Sequence, residues 1–150
     1  MPAPDRVFQE QDGYVVIEAE NATLPRGWGV KNRLPDLTGL GYIQWEGSPQ
    51  MGLHLAPQQV KGILTYRFHI TTPGVYRVMW RTRQYPTVKA RDQDNDMFFR
   101  FASGEKMPDL PDVDNFLKFG TQSQDNWTWR SWVFPGELGV SCTERMRADA

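Results

Sequence analysis

The sequence predicts an all-β protein, an antiparallel β-sandwich assembled from short strands. Three observations predict it. Apolar and polar residues alternate with a period of two in several segments, most cleanly from Leu64 to Thr71. Turns rich in glycine and proline separate those segments, with 13 Gly and 11 Pro in 150 residues. No long window carries a period of 3.6, so helices are expected to be short or absent. The length suits one domain with its own core, and 39% hydrophobic with 23% charged residues is ordinary for a globular chain.

Residues 1–12 form an amino-terminal lead that ends near the turn pair Asp12-Gly13. Tyr14 to Glu20 reads as the first strand, with Val15, Ile17 and Ala19 on one face and Val16, Glu18 and Glu20 on the other. Pro25, Gly27 and Gly29 mark a loop that carries Trp28, and Gly39 and Gly41 lead into an aromatic strand from Tyr42 to Glu46. Next, Leu64, Tyr66, Phe68 and Ile70 make an apolar face against Thr65, Arg67, His69 and Thr71, as in a half-buried strand. Thr72-Pro73-Gly74 turns the chain back into Val75 to Thr82, where Tyr76, Val78 and Trp80 oppose Arg77, Met79 and Arg81. The two runs are expected to pair as a hairpin.

Tyr85 to Asp94 is polar and reads as a loop, Met97 to Ala102 as a strand, and Ser103 to Asp114 as a Pro/Asp-rich excursion. Asn115 to Gly120 and Trp127 to Phe134 close a sandwich spanning 13–136. The tail, 137–150, lacks alternation and reads as irregular. The strand that should complete the sandwich is missing there, so the sandwich is expected to be incomplete at its carboxyl end, with an open pairing edge.

The formal net charge is −1, and Arg and Lys are scattered rather than striped. That excludes an electrostatic footprint for nucleic acid and gives no basis for a membrane-surface reading. Cys142 is the only cysteine, which rules out an intrachain disulfide and a thiolate zinc cage. With only His54 and His69, a nitrogen-rich metal site is not expected. No apolar run is long enough for a transmembrane helix. The opening MPAPDRVFQEQDG lacks a basic start and apolar middle, so no signal peptide is read; either the protein stays inside the cell or, the expectation preferred here, the chain is a monomeric module of a longer extracellular or periplasmic precursor.

Trp127, Trp129 and Trp132 place half of the six tryptophans in one short run. An indole face suits either a packed core or the apolar face of a sugar ring, and both readings stand for each Trp. The ordered set VIEAEN, GLGYIQW, LTYRFHITTPGVYRVMWRTR, NDMFFRF and NWTW resembles carbohydrate-binding modules of families six and thirty-five, over roughly Val15 to Phe134. That resemblance implies a galactose-binding-like β-jelly roll and a non-catalytic role, holding an attached polysaccharide-active enzyme on its substrate.

It also implies sites. Such modules hold a structural Ca2+ with acidic side chains spaced i, i+2, which Glu18 and Glu20 match; two solvated glutamates are the plain alternative. A Tyr after a Gly-rich turn and a late Trp form the sugar platform, which Tyr42 and Trp129 match, with Trp127 second and Trp132 assigned to the core. Trp28 could line the same cleft. Asn95, Asp96, Asp125 and Asn126 supply hydrogen-bonding groups in nearby loops, or simply form turns. The family's final acidic ligand and its late Asn have no counterpart here. A structural or interaction β-sandwich without a working sugar site is therefore the alternative function. Catalysis finds no support: no nucleophile elbow, P-loop or dinucleotide fingerprint occurs, and no carboxylate pair stands out among 18 acids.

Overall fold

A computed structural model describes residues 6–50, 54–84, 95–101, 116–120, 124–133, 136–137 and 139–142. Among them the fold is all-β, with strands and two single-turn 3-10 helices, Ala19–Asn21 and Pro57–Gln59. The strands are β1 (Val7–Gln9), β2 (Trp28–Lys31), β3 (Tyr42–Trp45), β4 (His54–Leu55), β5 (Arg67–His69), β6 (Gly74–Arg77) and β7 (Trp80–Thr82). They continue as β8 (Asp96–Phe99), β9 (Phe116–Gly120), β10 (Thr128–Arg130), β11 (Trp132–Val133), β12 (Gly136–Glu137) and β13 (Gly139–Cys142). The expected loops 85–94 and 103–114 lie outside the described residues. The described strands form five two-stranded ladders and one three-stranded sheet, β4-β9-β8.

The described residues divide into two compact units. One comprises those within Met1–Ser48, Lys61–Pro73 and Cys142–Ala150; the other comprises those within Pro49–Val60 and Gly74–Ser141.

In the first unit β1 pairs in parallel with β5, Phe8 opposite Phe68. Phe8 and Ile70 are buried, and the Phe8 ring meets Tyr66 at 6.4 Å. The alternation of 64–71 is visible in burial: Thr65, Arg67 and Thr71 are exposed, whereas Leu64, Tyr66, Phe68 and Ile70 turn inward. Glu10 reinforces this pairing from outside the ladder. Its carboxylate accepts hydrogen bonds from the backbone N–H groups of Thr72 (2.7 Å), Thr71 (2.8 Å) and Gly13 (3.0 Å) and from the hydroxyls of Thr71 and Thr72. The segment read as a lead thus holds a strand and its clasp.

β2 and β3 pair antiparallel, Trp28 opposite Trp45. The Trp45 ring fills a cradle of three glycines: a Cβ on Gly27, Gly47 or Gly62 would collide with it. Gly27 and Gly62 have φ of +104° and +65°, which glycine alone adopts readily. Trp28 meets Trp45 edge-on at 5.3 Å, and its Nε1–H donates to the Gly62 carbonyl at 2.6 Å.

In the second unit the core gathers on β9, where Phe116, Leu117 and Phe119 are buried beside Leu55. Trp80 stacks on Phe119 at 4.5 Å and meets Phe99 edge-on at 5.1 Å. β10 pairs antiparallel with β7, β11 with β12, and β13 lies beside β6.

Three expectations need correction. Tyr14 to Glu20 forms no strand: an isolated bridge, Gln11 to Tyr14, is followed by extended chain and then by the 3-10 turn. Its period of two survives as alternating exposure only from Tyr14 to Ile17, with Tyr14 and Val16 each 72% exposed, whereas Glu18, Ala19 and Glu20 are all half-buried. The hairpin across Thr72-Pro73-Gly74 is not the pairing found. β5 takes β1 and β6 takes β13, because each strand satisfies its backbone groups with a distant segment. Finally, the tail segment expected to be irregular carries β12 in part and β13, although its side chains show no alternation. Backbone hydrogen bonding needs no alternation. Gly136–Glu137 thus pairs with β11 and Gly139–Cys142 with β6, each as one half of a two-stranded ladder.

Candidate functional site

β7 and β10 position the late tryptophans. Their register sets Thr128 opposite Thr82, Trp129 opposite Arg81 and Arg130 opposite Trp80. Directly opposed residues of an antiparallel pair share a face, and neighbours along a strand take opposite faces. Trp80, stacked on Phe119, and buried Thr82 belong to one pair of strand residues that faces the core. Trp129 and Arg81 consequently face outward.

Exposure agrees with the register. Trp129 is 59% exposed, whereas the alternating neighbours Thr128 and Arg130 are half-buried. The Arg81 guanidinium carbon lies 5.4 Å from the centroid of the Trp127 ring, a cation–π distance. Trp127, Trp129 and Arg81 thus form one contiguous surface. Arg83 Nε–H donates to the Gln124 carbonyl at 2.9 Å and fastens the loop that leads into Trp127. Asp125 and Asn126 stand exposed in that loop. The backbone of Trp132 pairs with that of Glu137, and its side chain lies outside the described part of the structure.

The other expected site residues lie on other elements. Asp96 opens β8 and pairs with Lys118 at 2.7 Å, which commits its Oδ2 to an ion pair; half-buried Asn95 precedes it. Trp28 and Tyr42 belong to the first unit, Tyr42 opposite Lys31 on β3. The indole N–H of Trp28 is taken by Gly62, so its polar tip serves the Trp45 cradle.

No family model matches the chain, and neither a curated protein nor a solved structure does. The resemblance to carbohydrate-binding modules therefore rests on the quoted residues alone.

Glu18 and Glu20 do meet, though not by strand alternation. Glu18 Oε2 accepts from the Thr38 hydroxyl at 3.1 Å, and Glu20 Oε1 accepts from Gly41 N–H at 3.2 Å. Both oxygens crowd the place where a Cβ on Gly39 would stand. The missing side chain of Gly39 leaves a small cradle between two carboxylates. Two hard oxygen donors fit the start of a calcium shell, but calcium takes six to eight oxygens as a rule. Among the described residues no further Asp, Glu, His or Cys joins them as a metal-holding group. Backbone carbonyls, the Thr38 hydroxyl or water would have to supply the remainder.

Arg81 is the residue that sequence reading missed as a site member. Alternation places it on the polar side of its strand. What brings it to Trp129 is a register between two strands distant in the sequence, on which the sequence pattern is silent.

Proposed function

We propose that this chain is a non-catalytic carbohydrate-binding domain, a β-sandwich of jelly-roll type that tethers an attached polysaccharide-active enzyme to its substrate. The observation that supports the reading is the Trp129 ring, 59% exposed on a strand face with a second indole and a guanidinium beside it. A large aromatic left in water loses the stabilisation that burial would give it, which an apolar ligand face restores. The axial C–H groups of a pyranose cover the ring, and neighbouring polar groups meet the hydroxyls. Weak, reversible binding suffices, because tethering raises the local concentration of the linked enzyme. In the same reading Glu18 and Glu20 hold a structural Ca2+, which would stiffen the 38–41 loop by charge neutralisation.

Affinity electrophoresis of the full chain through plant and algal polysaccharides tests this. Retardation by at least one of them is expected, with Trp129→Ala migrating unretarded while remaining folded and losing less than about 1 kcal/mol of stability. A folded wild-type chain that no polysaccharide slows would sink the proposal and leave an interaction domain without a sugar site.

A further inference from the structure

We propose that the ligand of this face is a glycan chain laid side-on over at least two sugar rings, and that Met79 forms the second half of its platform. This deepens the carbohydrate reading and rests on it. Among the described residues of the second unit, two large hydrophobic side chains are exposed, Trp129 at 59% and Met79 at 48%. Residues before β7 and within it take opposite faces in turn. Arg77 and Met79 are exposed, Val78 and Trp80 are half-buried, and Thr82 is buried. Met79 therefore lies on the outer side with Arg81, two residues before it. Arg81 stands opposite Trp129 in the β7–β10 register, so Met79 and Trp129 are diagonal neighbours on one face. An apolar residue on the polar side of its strand is thus set beside an indole that is itself mostly in water.

Diagonal neighbours across an antiparallel pair are about 7–8 Å apart, within reach of long side chains. One sugar ring stacked on the Trp129 indole leaves the Met79 thioether in water, and the next ring along the chain covers it. Each further ring removes more apolar surface from water, so affinity rises with chain length. An unbranched thioether with three rotatable bonds shapes itself to an uneven sugar face, where a stiff side chain would fit one ring orientation. The small size of the patch argues against a protein partner. Two such partly exposed side chains offer on the order of 200 Å² of apolar surface, far below the roughly 800 Å² a side of a stable protein–protein contact.

The test uses the full chain in affinity gels of xylan, mannan and laminarin, each competed with the matching monosaccharide and tetrasaccharide. On a gel that retards the wild type, the tetrasaccharide is expected to release it at roughly one tenth of the monosaccharide concentration or less. Met79→Gln, close in size but polar, is expected to bring the two concentrations together, and Met79→Leu to keep most of the difference. Ile63→Gln, which alters an exposed apolar residue of the first unit, is expected to leave it unchanged. Should Met79→Gln melt far below the wild type, the wild type itself decides. Hydrogen peroxide passes one oxygen atom to the Met79 sulfur and leaves as water, and peptide mass spectrometry counts the sulfoxide. The tetrasaccharide is expected to slow that oxidation several-fold, and the monosaccharide to leave its rate unchanged. Equal release by both sugars overturns the inference and leaves a single-ring platform standing. So does a difference that survives Met79→Gln or falls equally in Ile63→Gln, or Met79 oxidation that the tetrasaccharide does not slow. Self-association of the wild type that Met79→Gln abolishes gives the face to a second copy and also overturns it. Absence of retardation on every gel removes both this inference and the carbohydrate reading.

Discussion

Glu10 shows how much one carboxylate at the surface can do. The N–H of Thr72 and the hydroxyl of Thr71, aided by the N–H groups of Thr71 and Gly13, hold its pKa down at about 2. An unfolded glutamate titrates near about 4.3, so the native state binds this proton more weakly than the unfolded state does. The contribution of the clasp is complete above that unfolded value and is lost as pH falls from there toward about 2. Thermal melts of wild type and Glu10→Gln should therefore differ by a constant amount above about pH 5 and converge in acid. A gap independent of pH would exclude an ionised clasp. Tyr66 behaves in the opposite sense. Burial, and secondarily the charge of Glu20, push its pKa up to about 12, while its hydroxyl donates to the Ala19 carbonyl at 2.9 Å. The native state keeps this proton longer, so stability falls as pH rises from about 10 to 12. Absorbance at alkaline pH should show a late-titrating tyrosine that disappears in Tyr66→Phe. Trp129→Ala should cost less than about 1 kcal/mol of stability, because the ring is mostly in water. It should cost about 2 kcal/mol or more of sugar binding, as for a hot-spot aromatic.

At the scale of elements, the cradle of Trp45 and the β7–β10 pair make the sharpest contrasts. Gly62→Ala places a methyl into the Trp45 ring at a positive φ, so a loss of about 2–4 kcal/mol is expected in denaturant melts. Thr82→Val should be neutral or slightly stabilising, because Thr82 is buried with its Oγ1 lacking a hydrogen-bond partner among the described residues. A loss above about 1 kcal/mol would show that the hydroxyl has one. The sequence made most aromatic strands legible: Tyr42–Trp45, Asp96–Phe99, Phe116–Gly120 and Thr128–Arg130 fall inside or within a residue of the runs that alternation marks. It hid β2, since Gly27 and Gly29 beside Trp28 read as loop punctuation although Gly27 is there to admit the Trp45 ring. It also hid every partner. Periodicity says which side of a strand is covered, never by what, and so the local hairpin after Ile70 was the natural but incorrect inference. Of the site, the exposed Trp129 was legible as one of three indoles. Its opposition to Arg81 was not.

For the whole molecule the open chemical question is the cation. If Glu18 and Glu20 begin a calcium shell at Gly39, saturating Ca2+ raises stability by about 2.7 kcal/mol at a hundredfold excess over Kd. Melting curves in Ca2+ and in chelator should separate accordingly, and the separation should vanish in Glu20→Gln. Identical curves for the wild type would return the pair to the role of loop anchors for Thr38 and Gly41.

The parallel β1–β5 ladder has a consequence for synthesis. Its two strands lie about sixty residues apart, as do Glu10 and its threonine donors. Parallel pairing over such a span closes slowly and late. On the ribosome, Val7–Gln9 must wait for Arg67–His69 to emerge before they acquire a mate. Until then Phe8 has no core to enter, and a nascent polypeptide stalled inside that interval would present an unmatched strand to chaperones and proteases.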